Sequence, residues 1–132
     1  MRAEVWSDER VVLGGSDAGA HSDLMCHANY PTVVLGDAVR RRGLLPLEEA
    51  VRLMTDVPAR LLGLRDRGRI EPGAIADLVL FDPASVGSGP AVARRDLPGG
   101  EERLYAESVG VRRVIVGGEA VGAQPPAVQP DP

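Results

Sequence analysis

The most informative stretch of this sequence runs from residue 10 to residue 21 and reads Arg10-Val11-Val12-Leu13-Gly14-Gly15-Ser16-Asp17-Ala18-Gly19-Ala20-His21. Residues 10–13 form a short β-branched and aliphatic run, which predicts a strand buried on both faces of a parallel sheet. The glycine pair that follows ends the strand, because glycine adopts backbone angles that other residues avoid. Polar residues directly after a buried strand are typical of ligand-binding and catalytic loops in α/β folds.

Asp17 is the candidate catalytic residue of this stretch. The small residues around it let backbone and substrate approach its carboxylate closely, and a carboxylate at a strand end can ligate a metal or act as a general base on a bound water. The alternative is a Gly-Ser-Asp turn in which Asp17 caps the following segment. Ser16 lies one residue too early for a Gly-x-Ser-x-Gly nucleophile elbow, and the Lys-Ser/Thr ending of a phosphate loop is absent.

Three more side chains with possible chemistry follow in the same region, namely His21, Cys26 and His27. Their spacing matches no familiar zinc pattern, and a structural zinc site would need a fourth ligand. His21 is a candidate substrate-binding residue, and the alternative is a histidine that is hydrogen-bonded within its own loop. A triad of Ser16, Asp17 and His21 is disfavoured, because proximity in sequence is no evidence of triad geometry.

The composition excludes several classes of protein. The chain has 132 residues, enough for one ordinary domain and too few for a complete (β/α)₈ barrel of roughly 250 residues. Its net charge of −4 gives no reason to expect nucleic acid or an acidic membrane as a partner. All fifteen basic residues are arginine, so no lysine nucleophile or carboxylated-lysine metal bridge is available. One cysteine, a polar start and the lack of a long apolar run predict a cytoplasmic protein without a membrane span.

Helical patterns occupy the middle of the chain. The first predicted helix begins at Pro31, carries an apolar stripe and ends at Arg40-Arg41-Arg42 and Gly43. A second helix opens at Pro46, with apolar residues at the i, i+3, i+4 and i+7 positions of one face. A short third helix starts at Asp56 and ends near Gly63, and its leucines are expected in the core.

The last part of the chain reads as β-structure. Glu71-Pro72-Gly73 predicts a turn, Leu78-Val79-Leu80-Phe81 a strand, and residues 111–121 a hairpin around Gly117-Gly118. Residues 84–102 are rich in glycine, proline, serine and arginine, so we expect a long exposed loop there. Residues 123–132 are expected to be a disordered, proline-rich tail.

Together these stretches resemble the metal-dependent amidohydrolases, and within them the N-acyl-D-amino-acid deacylases, also called D-aminoacylases. Residues 12–21 are similar to the eighth barrel strand and its loop, residues 47–64 to the helix that leaves the barrel, and residues 30–36 to a stretch of the deacylase branch. Gly68-Arg69-Ile70-Glu71-Pro72-Gly73-Ala74-Ile75-Ala76-Asp77-Leu78-Val79-Leu80-Phe81-Asp82 resembles the family's re-entry into a small β-sandwich. Val114-Ile115-Val116-Gly117-Gly118 resembles its closing hairpin, with Gly117 where the family usually has asparagine.

The resemblance implies an α/β fold class, namely the C-terminal fragment of a (β/α)₈ amidohydrolase barrel followed by part of a small β-sandwich. Residues 1–64 would supply the last barrel strand and its helices, and residues 65–122 the partial sandwich. The implied activity is zinc-dependent hydrolysis of the amide bond of N-acyl-D-amino acids. Asp17 matches the family's barrel-end aspartate, which takes a proton from metal-bound water and passes it to the leaving amine. It would ligate the metal only in a complete barrel.

Several parts of the family's active site are absent from this sequence. The His-x-His motif, the bridging metal ligand and two later histidines are missing, and the only histidines are His21 and His27. A carboxylate without a cation does not activate water, because the pKa of water falls only when a cation binds it. We therefore expect no bound zinc and no deacylase activity for this chain alone. The alternatives are a non-catalytic folding or interaction module and a chain that complements a separately encoded N-terminal barrel.

Overall fold

A computed structural model of the chain describes residues 2–18 and 24–122. The first half is helical, and the second half contains antiparallel strands. The helices are α1 (Arg2–Trp6), α2 (Tyr30–Val33), a π-helix (Val34–Arg41), α3 (Leu47–Met54) and α4 (Asp56–Leu61). The strands are β1 (Leu78–Phe81), β2 (Gly87–Arg94), β3 (Arg103–Val109), β4 (Val111–Val116) and β5 (Glu119–Val121). The mixture of helices and sheet agrees with the sequence prediction.

The predicted helices form where the apolar stripes place them. The stripe of the first predicted helix is buried at Val34, Leu35 and Ala38, although most of this helix is wound as a π-helix rather than an α-helix. The wider winding is visible at its end, where the N–H of Arg42 donates to the carbonyl of Asp37 over 2.9 Å. Helix α3 follows Pro46, as predicted, and buries Ala50 and Leu53.

Helix α4 forms as predicted, but its leucines do not enter the core. Leu61 and Leu62 are 69% and 72% exposed, because they lie at the end of the helix and not on the side of Ala59, which is buried. The expectation that these leucines are core residues is therefore wrong. The error arises because a six-residue helix is too short for a periodic pattern to define its buried face.

The predicted strand at residues 10–13 is also not formed, since residues 11–17 have an irregular backbone. An apolar run indicates that a segment is buried. A strand also needs a neighbouring strand to accept and donate its backbone hydrogen bonds. Every strand pair within the described residues is antiparallel and lies in the second half of the chain, so no parallel neighbour is available there. Leu13 nevertheless packs against the core.

Three of the strands form a sheet in the order β1-β4-β5, and they are the strand and the hairpin that the sequence predicts. Val79 lies opposite Val114, which in turn lies opposite Val121, so a row of valines crosses the sheet. The turn at Glu71-Pro72-Gly73 also forms, with the N–H of Ala74 donating to the carbonyl of Glu71 over 3.1 Å and Gly73 at φ 90°. A positive φ of this kind favours glycine.

Residues 84–102 do not form one long exposed loop, because β2 pairs with β3 to make a second, two-stranded sheet. Residues 95–102 form the shorter connection between these two strands, and most of them are exposed. Val92 lies opposite Tyr105 in this ladder, and the guanidinium of Arg94 stacks 3.9 Å from the centre of the Tyr105 ring. The register is irregular between Ser88 and Ala91, around Gly89-Pro90. Cross-strand pairing therefore overrides a composition that is unfavourable for a strand.

The core joins the helical half to the strands at Val86. This residue is 1% exposed and packs in one cluster with Val34, Leu35 and Ala50. Its backbone is held by Asp82, whose carbonyl accepts the N–H of Val86 over 2.8 Å. The helical and β-structured halves thus share one hydrophobic core.

Two glycines allow the backbone around Val86 to be enclosed so closely. A Cβ at Gly36 on the π-helix would lie 2.8 Å from the carbonyl oxygen of Val86. A Cβ at Gly110 would lie 2.6 Å from its backbone nitrogen, and Gly110 also has φ 72°. Any larger residue at these two positions requires the backbone to move apart.

The predicted tail at residues 123–132 lies outside the described residues.

Candidate functional site

The segment that carries Asp17 is seated on the helical half of the chain. Leu13 contacts the core cluster, and a Cβ at Gly14 would lie 3.8 Å from Cβ of Pro58 in α4. The backbone beyond them is open, since nothing within the described residues lies within 4 Å of the Cβ position of Gly15. The segment leaves the core at this point, and Asp17 is exposed.

Ser16 accepts the hydrogen bond of the turn that begins here. The N–H of Ala18 donates to Oγ of Ser16 over 3.3 Å, which is the local hydrogen bond of a serine turn. The carboxylate of Asp17 is left exposed and able to accept a proton or a ligand. The alternative prediction, that Asp17 caps the next segment, concerns residues 19–23, which lie outside the part of the chain that the structure describes.

Asp17, Cys26 and His27 do not form a cluster of metal ligands within the described residues. His21 falls among the residues that the structure does not describe. Cys26 is half-buried and His27 is exposed, and the carbonyl of His27 accepts the N–H of Tyr30 over 3.2 Å in a turn. Among residues 2–18 and 24–122, no three histidine, cysteine or carboxylate side chains come together as metal ligands. A catalytic zinc uses three protein ligands, so the described residues do not form a zinc site by themselves.

The hydrogen-bonded pair of Asn29 and Ser88, which the sequence does not predict, fixes the far end of the loop that follows Asp17. Nδ2 of Asn29 donates to Oγ of Ser88 in β2 over 2.7 Å, and the two residues are 59 positions apart. The carbonyl of Asn29, the residue before helix α2, accepts the hydroxyl of Thr32 over 2.9 Å. The loop that follows Asp17 is therefore attached to the second sheet. Nothing in the sequence signals this pair, because Ser88 lies in a stretch predicted to be loop.

Two of the three acidic residues of the motif at residues 68–82 stabilise turns. Oδ1 of Asp77 accepts the N–H of Gly117 over 2.8 Å, and this bond, with the charge of Arg67, holds the pKa of Asp77 below its usual value. The pKa of Asp82 is lowered by hydrogen bonds from the N–H of Ala84 and the hydroxyl of Ser85. Both carboxylates are engaged in holding the backbone.

Comparison with known proteins identifies the family of this chain. The model of the amidohydrolase family matches residues 2–121. The chain therefore belongs to the amidohydrolase family. Within the part of the chain that the structure describes, no helix is both long enough and apolar enough to cross a membrane.

The similar proteins within this family belong to a narrower class of enzymes. The chain is 45% identical over 100 residues to the N-acyl-D-glutamate deacylase of Alcaligenes xylosoxydans xylosoxydans, a match that covers 75% of this chain and 19% of the relative. It is 53% identical over 53 residues to the D-aminoacylase of the same organism, with 40% of this chain and 11% of that protein covered. The resemblance to deacylases of N-acyl-D-amino acids is thereby confirmed.

A solved structure gives the same result. The N-acyl-D-glutamate deacylase of Bordetella bronchiseptica, complexed with zinc and a phosphonate that mimics the tetrahedral intermediate, superposes with a TM-score of 0.53 at 43% identity. The match covers 73% of this chain and 18% of that protein. A D-aminoacylase structure concerned with a binuclear metal centre superposes equally well, at 41% identity. The chain thus spans about one-fifth of the length of these metal-bound relatives.

Proposed function

We propose that this chain is the C-terminal part of a zinc-dependent hydrolase that cleaves the amide bond of N-acyl-D-amino acids. The observation that carries the proposal is the 45% identity to an N-acyl-D-glutamate deacylase over 100 residues. In this proposal, residues 1–64 are the end of the barrel, and residues 65–122 are part of the β-sandwich. Residues 10–13, which are not a strand in the chain by itself, then form the last barrel strand when a neighbouring strand is supplied.

Asp17 is the proposed catalytic residue, with His21 as a proposed substrate-binding residue. The exposed carboxylate of Asp17 accepts a proton from the attacking water and delivers it to the leaving nitrogen. The new bond joins the water oxygen to the acyl carbon, the C–N bond breaks, and the products are a carboxylate and a free D-amino acid. Leu13 and Gly14 position Asp17 through their contacts with the core and with Pro58.

Zinc belongs to the complete enzyme in this proposal. Asp17 is one carboxylate, which is fewer ligands than a catalytic zinc requires, so it fits as a member of a ligand set supplied mainly from elsewhere. The chain by itself is proposed to be inactive. A second candidate function, a non-catalytic module that folds alone or complements a separately encoded barrel, is favoured by the core that Val86 shares with the helices.

The experiment is a chimera in which this chain replaces the matching stretch of the Alcaligenes N-acyl-D-glutamate deacylase. With zinc, we expect the chimera to release D-glutamate from N-acyl-D-glutamate, and we expect this chain alone to release none. Asp17→Asn in the chimera should lower kcat by roughly 10²–10⁴-fold, the usual contribution of a general acid–base group.

Asp66→Asn is the matched control, because Asp66 is also an exposed aspartate and lies in the stretch before β1. It should leave kcat unchanged. Full activity of the Asp17→Asn chimera would refute the role of Asp17. A zinc-loaded, folded chimera without activity would favour the module.

A further inference from the structure

The Asp17 loop, which we define as residues 18–29, is held at its two ends by different parts of the fold. The segment before the loop is seated on helix α4 at Gly14. At the other end, Nδ2 of Asn29 donates to Oγ of Ser88 in β2 over 2.7 Å, and this hydrogen bond is partly buried. The helical half of the chain therefore holds the beginning of the loop, and the second sheet holds its end.

The side chain of Asn29 does not have the role that is usual at its position. Asn29 is the residue before helix α2, where an asparagine side chain normally accepts a backbone N–H of the first helical turn. No such bond forms at Asn29 within the described residues, and the side chain reaches Ser88 instead. Only the backbone carbonyl of Asn29 serves the helix, since it accepts the hydroxyl of Thr32 and the N–H of Val33. The side chain thus connects the loop to the second sheet.

Ser88 lies at a bulge in β2. Gly89 and Pro90 of this strand lie opposite the single residue Glu107 of β3, so β2 contains one extra residue here. A bulge changes the direction of the side chains around it, and bulges are common next to active sites. The hydroxyl of Ser88 is fixed on both sides, because it accepts from Asn29 and donates to the carbonyl of Gly89 over 3.2 Å.

The beginning of β2 is itself fixed to the core. Nη1 of Arg40 in the π-helix donates to the carbonyl of Val86 over 2.5 Å. A Cβ at Gly36 would lie 2.9 Å from Cα of Gly87, so the π-helix and this part of the chain are in close contact. Ser88 is the next residue along the chain. Asn29 is therefore bound to a point that the core holds firmly.

We infer that Asn29 and Ser88 are positioning residues of the deacylase site, which determine how tightly the N-acyl-D-amino acid is bound. The inference rests on the proposed function, because loops after barrel strands form the substrate site, and His21 in this loop is the proposed substrate-binding residue. Asp17 lies three residues after Gly14 and keeps this support when the far end of the loop is released. Loss of the pair should therefore weaken substrate binding and leave proton transfer unchanged.

The chimera described above provides the test, with zinc and N-acyl-D-glutamate as substrate. Asn29→Ala should raise KM roughly three- to tenfold, the effect of one lost hydrogen bond, and should change kcat per folded molecule by less than about twofold. Ser88→Ala should have the same effect. The double variant should raise KM no further than either single variant, because both substitutions remove the same bond. KM is the suitable quantity because partial unfolding lowers the concentration of active enzyme without altering KM.

Two further variants separate positioning from a general effect on the second sheet. Ser88→Thr keeps the hydroxyl and should retain the KM of the unmodified chimera. Ser108→Ala is the matched control, because Ser108 is an exposed serine that lies opposite Ser88 in the ladder, and it should leave KM unchanged. An unchanged KM in Asn29→Ala, or an equal rise in Ser108→Ala, would overturn the inference. A loss of kcat at constant KM would also overturn it.

Failure of the proposed function gives a different result. If the chimera does not hydrolyse the substrate, calorimetric titration with N-acyl-D-glutamate measures binding directly. Weaker binding in Asn29→Ala than in the unmodified chimera would then retain the positioning pair and refute the proposed function. An active chimera whose KM is the same with and without the pair retains the function and refutes the pair. A chimera that neither hydrolyses nor binds the substrate refutes both.

Discussion

Oδ1 of Asp77 accepts a hydrogen bond of 2.8 Å from the backbone N–H of Gly117, which joins the start of β1 to the turn between β4 and β5. The neighbouring N–H of Gly118 donates to the carbonyl of Ala76 over 3.0 Å. The second carboxylate oxygen of Asp77 pairs with Arg67. A single aspartate thus fixes the closing hairpin to the strand beside it. The glycine at position 117 is compatible with this arrangement, because it adopts φ 59° in the turn.

The hydrogen bonds of Asp77 make stability dependent on acid. Its pKa is lowered from the ordinary value of 3.8, so its contribution is fully present above that pH and is lost as pH falls through the lower pKa of the folded state. Asp77→Asn should therefore reduce the free energy of unfolding at pH 7 and flatten its decrease below pH 4. Urea unfolding at pH 7 and pH 3 measures both effects. An unchanged pH dependence in the variant would contradict the assignment.

Gly110→Ala should destabilise the fold strongly. The new Cβ would lie 2.6 Å from the backbone nitrogen of Val86, and the residue would have to keep φ 72°. Strain of the left-handed backbone alone costs about 1–2 kcal/mol, and we expect a total above about 3 kcal/mol. Gly99→Ala is the control, because Gly99 has φ 82° with nothing in the described structure within 4 Å of its Cβ position. Similar losses for both variants, measured by urea unfolding, would show that the close contact has no effect.

Val86→Ala should cost about 2 kcal/mol, since it removes two buried methyl groups and leaves a cavity between the helices and the strands. The matched control is Val116→Ala in β4, where the side chain is 52% exposed, and its effect should stay within about 0.5 kcal/mol. Chemical denaturation of the two variants gives the comparison. A loss at Val86 no larger than that at Val116 would be inconsistent with a core shared through Val86.

The bond between Asn29 and Ser88 is suited to a double-mutant cycle. Asn29→Ala, Ser88→Ala and the double variant should give a coupling free energy of about 0.5–1.5 kcal/mol, the usual net contribution of a hydrogen bond. Thr32→Ala combined with Ser88→Ala is the control cycle, because the hydroxyl of Thr32 donates to the carbonyl of Asn29 and not to Ser88. A coupling of zero between Asn29 and Ser88 would mean that the loop is not held by this bond.

The sequence was most informative where the determinants of structure are local. Strand β1 at Leu78–Phe81 and the hairpin at Val111–Val116 and Glu119–Val121 agree with the predicted strands, because apolar runs and the Gly117-Gly118 turn lie close together in the chain. Helices α3 and α4 begin after Pro46 and at Asp56, as their start signals predict. The small residues around Asp17 indicate a turn, and the turn forms at Ser16. They do not indicate the chemistry of the Asp17 carboxylate.

The structural features that the sequence does not predict depend on residues that are distant in the chain. Strand β2 contains Gly87, Gly89 and Pro90, and it forms only because β3 supplies a ladder to pair with. Residues 10–13 show the opposite error, since an apolar run without a neighbouring strand has an irregular backbone. The hydrogen bond from Asn29 to Ser88 joins residues that are 59 positions apart, so the local sequence around neither residue predicts it. Pairing and long-range hydrogen bonds are properties of the folded chain, and composition does not encode them position by position.

The shared core at Val86 has a consequence for how this part of the family can be exchanged between genes. Val34, Leu35 and Ala50 come before residue 64, and Val86 comes after the first strand. A recombination crossover between residues 64 and 78 would therefore combine helices and strands from different parents at a point where each needs the other's side chains. Parents that differ at Gly36 or Gly110 would collide with the Val86 backbone in the hybrid. Helices and strands should accordingly be exchanged together.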